Sequence, residues 1–420
     1  METARGAAQA ERAANQVACL RILADADEPR TVGVLSEATG LSRPTVHAVL
    51  DDLLDAGLVE PTSPATAGPG RPARAFRFAR ETGLVAGVDL GPRGARAIIC
   101  DLSGHRVGYA ELPSNGPADL SLIPRALQAA ADAARCASEV SAGSGGAEWR
   151  ALDAAAGSHG GSSASSGPLD LRRLRAVGIG LPGVVEADGR LRASLATPGL
   201  VGLPVGELLA KELGVPVVVD NDIKLAALAE QRGGAGLGYS DVVYLQIGHR
   251  LSVSIVLNGV IRQGRHRLAG ELGAQRGMRW TRNAQRGQLV WSSRPTGAEV
   301  LTAAAAGDAA AQAELQEFCQ QIAPRIATVL LVVDPEVVVV RGGPAADSSA
   351  LLRPLAAAVE NELVFPERPP FAAAALGREA VVLGAAGNAF DRYSSDIYGV
   401  HDYPSPWARI THHEVERTTT

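Results

Sequence analysis

The stretch from Thr31 to Glu60 constrains this chain most, because its caps, its breaker and its apolar stripe agree on one motif. Thr31 can cap a helix whose inward positions are Val34, Leu35 and Ala38, and Gly40 ends that helix at a C-terminal turn. Leu41 plugs the turn, Ser42 caps the next helix, and Pro44 is tolerated in that helix's first turn. Val46, Val49, Leu50 and Leu53 follow the i, i+3, i+4, i+7 rule, so they face inward. Gly57 stops the second helix, and Leu58-Val59 begins a strand. The pattern is a helix-turn-helix running into a strand. It leaves Ser42, Arg43, Pro44, Thr45, His47 and Ala48 at or near the outer face of the second helix's N-terminal end. Helices of this motif meet base edges in the major groove at that end. A plain helical hairpin would need the same stripe, but not both caps and the glycine at this spacing.

The flanks extend the motif. Residues 1–13 read as a polar, Ala-rich lead-in that frays, and Ala14 to Ala24 as the first helix of a three-helix unit. Beyond Val59, the alternation of Phe76 and Phe78 around Arg77 suits a second strand. Two strands around a loop make a wing, with Gly70-Arg71-Pro72 at its tip. An arginine so presented suits a narrow minor groove. Arg74, Arg77 and Arg80 follow with no acid between them, as a phosphate-contacting set or as a solvated run at a domain boundary. Asp51, Asp52 and Asp55 oppose this reading unless they point away from phosphates. The DNA-binding domain is expected over residues 14–80.

At 420 residues there is chain for two to three domains, and 46% hydrophobic with 20% charged residues is a globular balance. The net charge of −5 excludes a polycation, so nucleic acid must be held by a local patch. Four separated cysteines with no CxxC argue against a disulfide framework and a cysteine zinc site. No apolar run suits a membrane span, and the N-terminus has no signal-peptide core, so the cytoplasm is the expected compartment.

From Leu84 the character turns to α/β. Leu84–Leu90, Ala95–Asp101 and His105–Glu111 read as a meander, followed by an Ala-rich helix over Leu120–Val140. Residues 141–168 are Gly/Ser/Ala-rich without periodicity, a flexible insertion in expectation. A strand from Leu174 ends in Gly180-Leu181-Pro182-Gly183, and Val215–Val219 delivers Asp220, Asn221 and Asp222 just before a helix. Ligand chemistry in open α/β sheets gathers at such strand ends. A second α/β set has strands over Asp241–Ile247 and Ser252–Leu257, and Asn258-Gly259 turns the chain there as a hairpin. A long helix over Glu314–Val333 and a strand ending at Arg341-Gly342-Gly343 complete it. A final helix begins near Gly384, and residues 391–420 read as a polar, irregular tail.

The order Gly87-x-Asp89-x-Gly91, Gly180-Leu181-Pro182-Gly183, Asn221-Asp222, Asn258-Gly259, Ala269-Gly270-Glu271-Leu272-Gly273 and Gly342-Gly343 resembles the ROK family of repressors, open reading frames and sugar kinases. The similarity runs from about Leu84 to Asn388. With the N-terminal winged helix it resembles the family's transcriptional regulators. It implies an α/β fold of two lobes, of the actin-like ATPase type, after the winged helix-turn-helix. The lobes are expected over about 84–235 and 236–383, with the final helix, about 384–390, returning to the first lobe.

The departures from the family's kinases bear on activity. Those kinases place glycines and a threonine after the first strand, and more glycines after the later hairpin strand, where backbone N–H groups close on phosphates. Here the first loop reads Gly91-Pro92-Arg93-Gly94 and the later one Gly248-His249-Arg250-Leu251. Both phosphate loops are altered, which argues against ATP use. Arg93, His249 and Arg250 retain the charge to attract an anion, with no spacing that demands one. Asp222 aligns with the kinases' catalytic base, and Glu271 with a sugar-contacting residue. By residue pattern alone, Asp222 and Asn221 serve equally well as caps of the following helix, and Glu271 as a surface carboxylate. Ala274 stands where the family often has histidine, and residues 275–294 hold neither cysteine nor histidine, so no structural zinc is expected.

The expected function is a DNA-binding transcriptional regulator, a repressor, with a catalytically inactive ROK domain that dimerises and senses a sugar or sugar derivative. A homodimer or dimer of dimers on operator DNA is expected, with no cofactor. The ligand-binding set is Gly183, Asn221, Asp222 and Glu271, and the DNA-binding set is Ser42, Arg43, Pro44, Thr45, His47, Arg71 and Arg74. The alternatives are a ROK hexose kinase carrying a DNA-binding domain and a ligand-independent DNA-binding scaffold.

Overall fold

A computed structural model of the chain describes residues 2–62, 74–114, 116–140, 169–277, 279–284, 287–342, 349–365 and 368–411. The insertion over 141–168 and the wing tip with Arg71 lie outside the described residues.

The N-terminal unit has helices α1 (Glu2–Ala24), α2 (Val32–Thr39) and α3 (Arg43–Asp55) and strands β1 (Arg30–Thr31), β2 (Val59–Thr62) and β3 (Ala75–Phe78). Each signal in the turn does its work. The Thr31 and Ser42 hydroxyls accept from the backbone N–H of Val34 and Thr45, and Gly40 closes α2 at φ 74°. Val46, Val49, Leu50 and Leu53 are buried. In α2 the inward stripe differs from the expected one. Leu35 is buried, but Val34 and Ala38 face solvent. The helix instead turns Val32, Leu35, Ser36 and Thr39 inward, and the Ser36 hydroxyl donates to the Leu41 carbonyl at 2.6 Å. Two further corrections apply to this unit. α1 is helical from Glu2, not from Ala14, and Arg12, ahead of the expected start, binds Asp52 of α3. β1 was not expected, being only two residues long; it pairs with β3 to give the order β1-β3-β2.

Lobe 1 is a five-stranded sheet of order β10-β7-β4-β5-β6. It comprises β4 (Leu84–Gly91), β5 (Gly94–Asp101), β6 (Arg106–Pro113), β7 (Leu174–Leu181) and β10 (Val217–Asn221). β4, β5 and β6 form the antiparallel meander, while β7 and β10 run parallel to β4. The small hairpin β8 (Val184–Val185) and β9 (Leu191–Ala193), helix α4 (Leu122–Val140) and helix α5 (Val205–Leu213) complete its outer side. Lobe 2 repeats the plan with order β13-β12-β11-β14-β15, an antiparallel meander flanked by two parallel strands. Its strands are β11 (Val242–Ile247), β12 (Leu251–Leu257), β13 (Val260–Ile261), β14 (Val337–Arg341) and β15 (Phe371–Ala373). Helices α7 (Gly297–Ala305), α8 (Ala309–Val333) and α9 (Ser349–Glu360) cover one face.

Helices α6 (Asp222–Gly233) and α10 (Ala380–Arg392) pack against each other where the lobes meet. α10 begins at Ala380, a turn before the expected Gly384, and lies directly on β4 and β7. Glycines permit this approach: a Cβ on Gly178 would fall into the carbonyl of Ala385, and one on Gly384 into that of Leu225.

The expected irregular tail is a correction. Residues 394–398 form α11 and residues 407–411 form α12. Ile397, Tyr398, Val400, Tyr403, Trp407 and Ile410 are buried in one apolar core. That core also contains Leu20, Leu35, Leu50 and Phe76 of the DNA-binding unit and Val85, Ile98 and Leu102 of lobe 1. The polar composition concealed this, because the apolar residues are spaced among Ser, Asp and Pro with no regular period. Arg409 reaches across to the Ala24 carbonyl at 2.8 Å, so the C-terminal segment joins the DNA-binding unit to lobe 1.

Candidate functional site

The outer face of α3 is built from its own first turn. Ser42, Arg43, Pro44 and His47 are exposed, and Thr45 is half-buried with its hydroxyl 2.8 Å from that of Ser42. The aspartates on α3 divide. Asp52 turns back to α1, where Arg12 and Gln16 bind it, and Arg12 holds its carboxyl below the usual range. Asp51 and Asp55 stay exposed near the far end of the helix. The arginines after the wing also divide. Arg74 stacks over Phe76 at 5.2 Å, but Arg77 pairs with Glu60 on the neighbouring strand. Arg80 turns to lobe 1 and lies 3.7 Å from Asp101.

A cleft of about 550 Å³ opens between the lobes, lined among others by Asp89, Arg93, Asp222, His249 and Arg341. β4 ends at the turn carrying Arg93, and β11 ends at the turn carrying His249. The Arg93 guanidinium meets His249 Nε2 at 3.1 Å, so the two altered loops touch across the cleft. Burial, and the charges of Arg93 and Arg250, push His249 below the ordinary histidine range, so it is neutral and accepts from Arg93.

Asn221 and Asp222 have different jobs. Asn221 is the N-cap of α6: its side-chain oxygen accepts from Lys224 N–H at 3.0 Å and its amide donates to the Gly183 carbonyl at 2.9 Å. Gly183 has φ 131°, and a Cβ there would strike the Ala193 carbonyl. Both residues shape the turn beside the cleft-lining Pro182 and Asp222. Replacing Asn221 by alanine is expected to cost about 1–3 kcal/mol, from the lost cap and the orphaned carbonyl. Urea denaturation checks this; a change near zero would mean that the cap is dispensable.

Asp222 lines the cleft, and among the described residues its carboxylate accepts only from its own helix's Ile223 N–H, at 2.9 Å. Burial, with Asp89 and Glu271 nearby, raises its pKa to about 7. The fold therefore holds a proton that the unfolded chain releases near 3.8. Stability from this group is complete below about pH 4 and is lost as pH rises through about 7. Asp222→Asn is expected to gain about 2–3 kcal/mol on the native chain between roughly pH 5 and pH 8. Denaturation midpoints at both pH values test this, and a pH-independent difference would contradict it.

Glu271 lies near Lys224 and Asp222, and burial raises its carboxyl above the usual range. Lys224 Nζ donates to Gln263 Oε1 at 3.0 Å, and Gln263 donates to Asp220 at 2.7 Å, a polar chain beside the strand end. Sequence reasoning gave no role to Asp89 or Arg341. Asp89 pairs with Arg96 at 3.1 Å, and Arg341 is 5% exposed with Nη1 donating to Gln246 at 3.0 Å. The available signal was a lone arginine closing the all-valine strand Val337–Val340. Among the described residues no group of His, Cys, Asp and Glu could hold a metal, and no helix is long and apolar enough to cross a membrane.

The ROK family profile matches residues 167–288 and 276–391, together more than half of the chain. The chain belongs to the ROK family. A MarR family profile matches residues 12–68, the helix-turn-helix unit of this ROK protein. No curated protein sequence matches. Among solved structures, a ROK family transcriptional regulator, a homolog of the E. coli MLC protein, is similar over 95% of this chain and 98% of its own, at 20% identity and TM-score 0.59. A Streptomyces griseus ROK glucokinase, solved with glucose and AMPPNP, is similar over 74% of this chain and all of its own, at 22% identity and TM-score 0.55. A Thermus thermophilus ROK hexokinase covers the same 74% and 99% of its own chain, at 24% identity and TM-score 0.51. These similarities show the shared fold: a winged helix-turn-helix followed by the two-lobed ROK domain.

Proposed function

We infer that this ROK protein is a DNA-binding transcriptional regulator, a cytoplasmic repressor whose ROK domain binds an effector and does not phosphorylate it. The observation that carries the reading is the free outer face of α3, with Arg43 and His47 one turn apart at its N-terminal end and Asp52 drawn back to α1. The cleft supports the second half. The turns where phosphate loops would lie carry Arg93 and His249 bonded to each other, and proline at 92 removes an N–H donor. Asp222 remains as a hydrogen-bond partner for a sugar hydroxyl rather than a base in phosphoryl transfer.

The mechanism follows from two lobes that share α6 and α10. An effector that binds one lobe arrangement better than the other shifts the population towards it. The C-terminal segment ties lobe 1 to α1, so the shift moves the DNA-binding unit. In a homodimer this changes the spacing of two recognition helices against half-sites about 10 bp apart, or multiples of that. Operator affinity then falls.

A mobility-shift assay on DNA upstream of its own gene, with and without a panel of sugars, and a coupled assay of ATP-dependent hexose phosphorylation test the reading. Specific binding weakened by one sugar, with no phosphorylation, is expected. Turnover of ATP with a hexose would overturn the non-enzymatic half of the reading, and binding indifferent to every sugar would leave the ROK domain as a scaffold.

A further inference from the structure

We propose that the Arg93–His249–Arg341 end of the cleft is an oxyanion site, and that the effector is a monosaccharide bearing a phosphate or carboxylate group. This rests on the reading of the cleft as the effector site and narrows its ligand. Arg93 is exposed at the β4–β5 turn, and among the described residues its guanidinium meets neutral His249 and pairs with no carboxylate. Arg341 approaches from β14 of the other lobe. It is 5% exposed, lines the same cleft, and among the described residues its Nε has no hydrogen-bond partner. Guanidinium remains charged at any pH the protein meets, and a buried, under-paired cation is costly to hold. An oxyanion relieves that cost and matches the planar fork of an arginine.

The cleft's acids offset this end only in part. Glu111 is held by Arg96 at 3.1 Å and by Arg378 at 2.8 Å, and Asp89 pairs with Arg96 while its one charge is shared with Arg341 and Arg93. Asp222 is raised to about 7 and carries only part of a charge near neutrality. About 550 Å³ suits a monosaccharide, with Asp222 left to bond a hydroxyl while the arginines take the acid group. A nucleotide's polyphosphate needs converging backbone N–H groups, which Pro92 and the side chains of these loops do not supply.

The test uses the full chain and sulfate as a fully ionised probe, titrated against chloride at constant ionic strength and read by thermal unfolding. A saturable rise in Tm is expected for the native protein, with the apparent affinity at least about ten-fold weaker in Arg93→Ala, a substitution at an exposed turn. No saturable rise, or identical rises in both proteins, would overturn the proposal. Glucose 6-phosphate, glucuronate and glucose then identify the acid group. One anionic sugar should bind at least about ten-fold more tightly than glucose, with the difference lost in Arg93→Ala. Glucose binding as tightly as both anionic sugars would also overturn it. Operator binding by the ligand-free native protein is measured separately. Its loss would count against the regulator reading alone, and its survival with a failed sulfate titration would count against the anion site alone.

Discussion

Replacing Arg43 and His47 together by alanine is expected to weaken specific operator binding by about 100-fold or more, with little change in stability. The two residues are an i, i+4 pair on the exposed face of α3, and His47 projects from the same end that Ser42 caps. Neither is buried, so the folded state loses no packing. A side chain that reads a base edge contributes roughly 1–3 kcal/mol of discrimination, so two remove about 2–6 kcal/mol. Phosphate contacts from other residues survive, so binding to random DNA at low salt should fall much less. Fluorescence anisotropy on operator and scrambled duplexes at one salt concentration separates the two terms. An unchanged ratio of specific to non-specific affinity would mean that α3 does not read bases.

Removing the Trp407 side chain is expected to cost about 3–5 kcal/mol, the range for truncating a buried aromatic. The ring is 9% exposed, packs where a Cβ on Gly387 would sit, and donates Nε1–H to Asp391 at 3.1 Å. A cavity there loosens α12 from α10, and with it the Arg409 contact to the Ala24 carbonyl. Trp407→Ala should therefore lower the denaturation midpoint and also weaken the effect of effector on operator binding. Arg409→Ala serves as the milder companion, expected to alter coupling at a stability cost of about 1 kcal/mol. A loss under about 1 kcal/mol for Trp407→Ala would show that the C-terminal segment is a surface appendage.

The helix-turn-helix was legible because local chemistry specifies it. Thr31, Gly40, Ser42 and Pro44 each satisfy or release a backbone group at a helix end, and the α3 stripe has one buried face. The five strands of lobe 1 and three of the five in lobe 2 were legible from their apolar runs and turn glycines, whereas the short edge strands β13 and β15 were not. What stayed hidden depends on contacts distant in sequence. β1 has only two residues and exists through pairing with β3. Val34 fits the helical period but faces out, since packing against α1 and α3 selects Leu35 as the buried position. The ordered C-terminal segment is held by Tyr398 donating to Leu102 and Arg175 donating to Ile397, partners more than two hundred residues away. In the cleft, Asp222 was visible from its strand-end position, but its separation from the capping role of Asn221 needed coordinates. The contact of Arg93 with His249 joins residues 156 positions apart, which no local pattern carries.

The most direct test of the central claim is selection of fragmented genomic DNA by the purified full-length protein, with the bound pool sequenced. One enriched sequence with two half-sites about 10 bp apart, or multiples of that, is expected, with loss of the enrichment in the Arg43→Ala/His47→Ala protein. A pool with no enriched sequence, or one retained equally by both proteins, would contradict it.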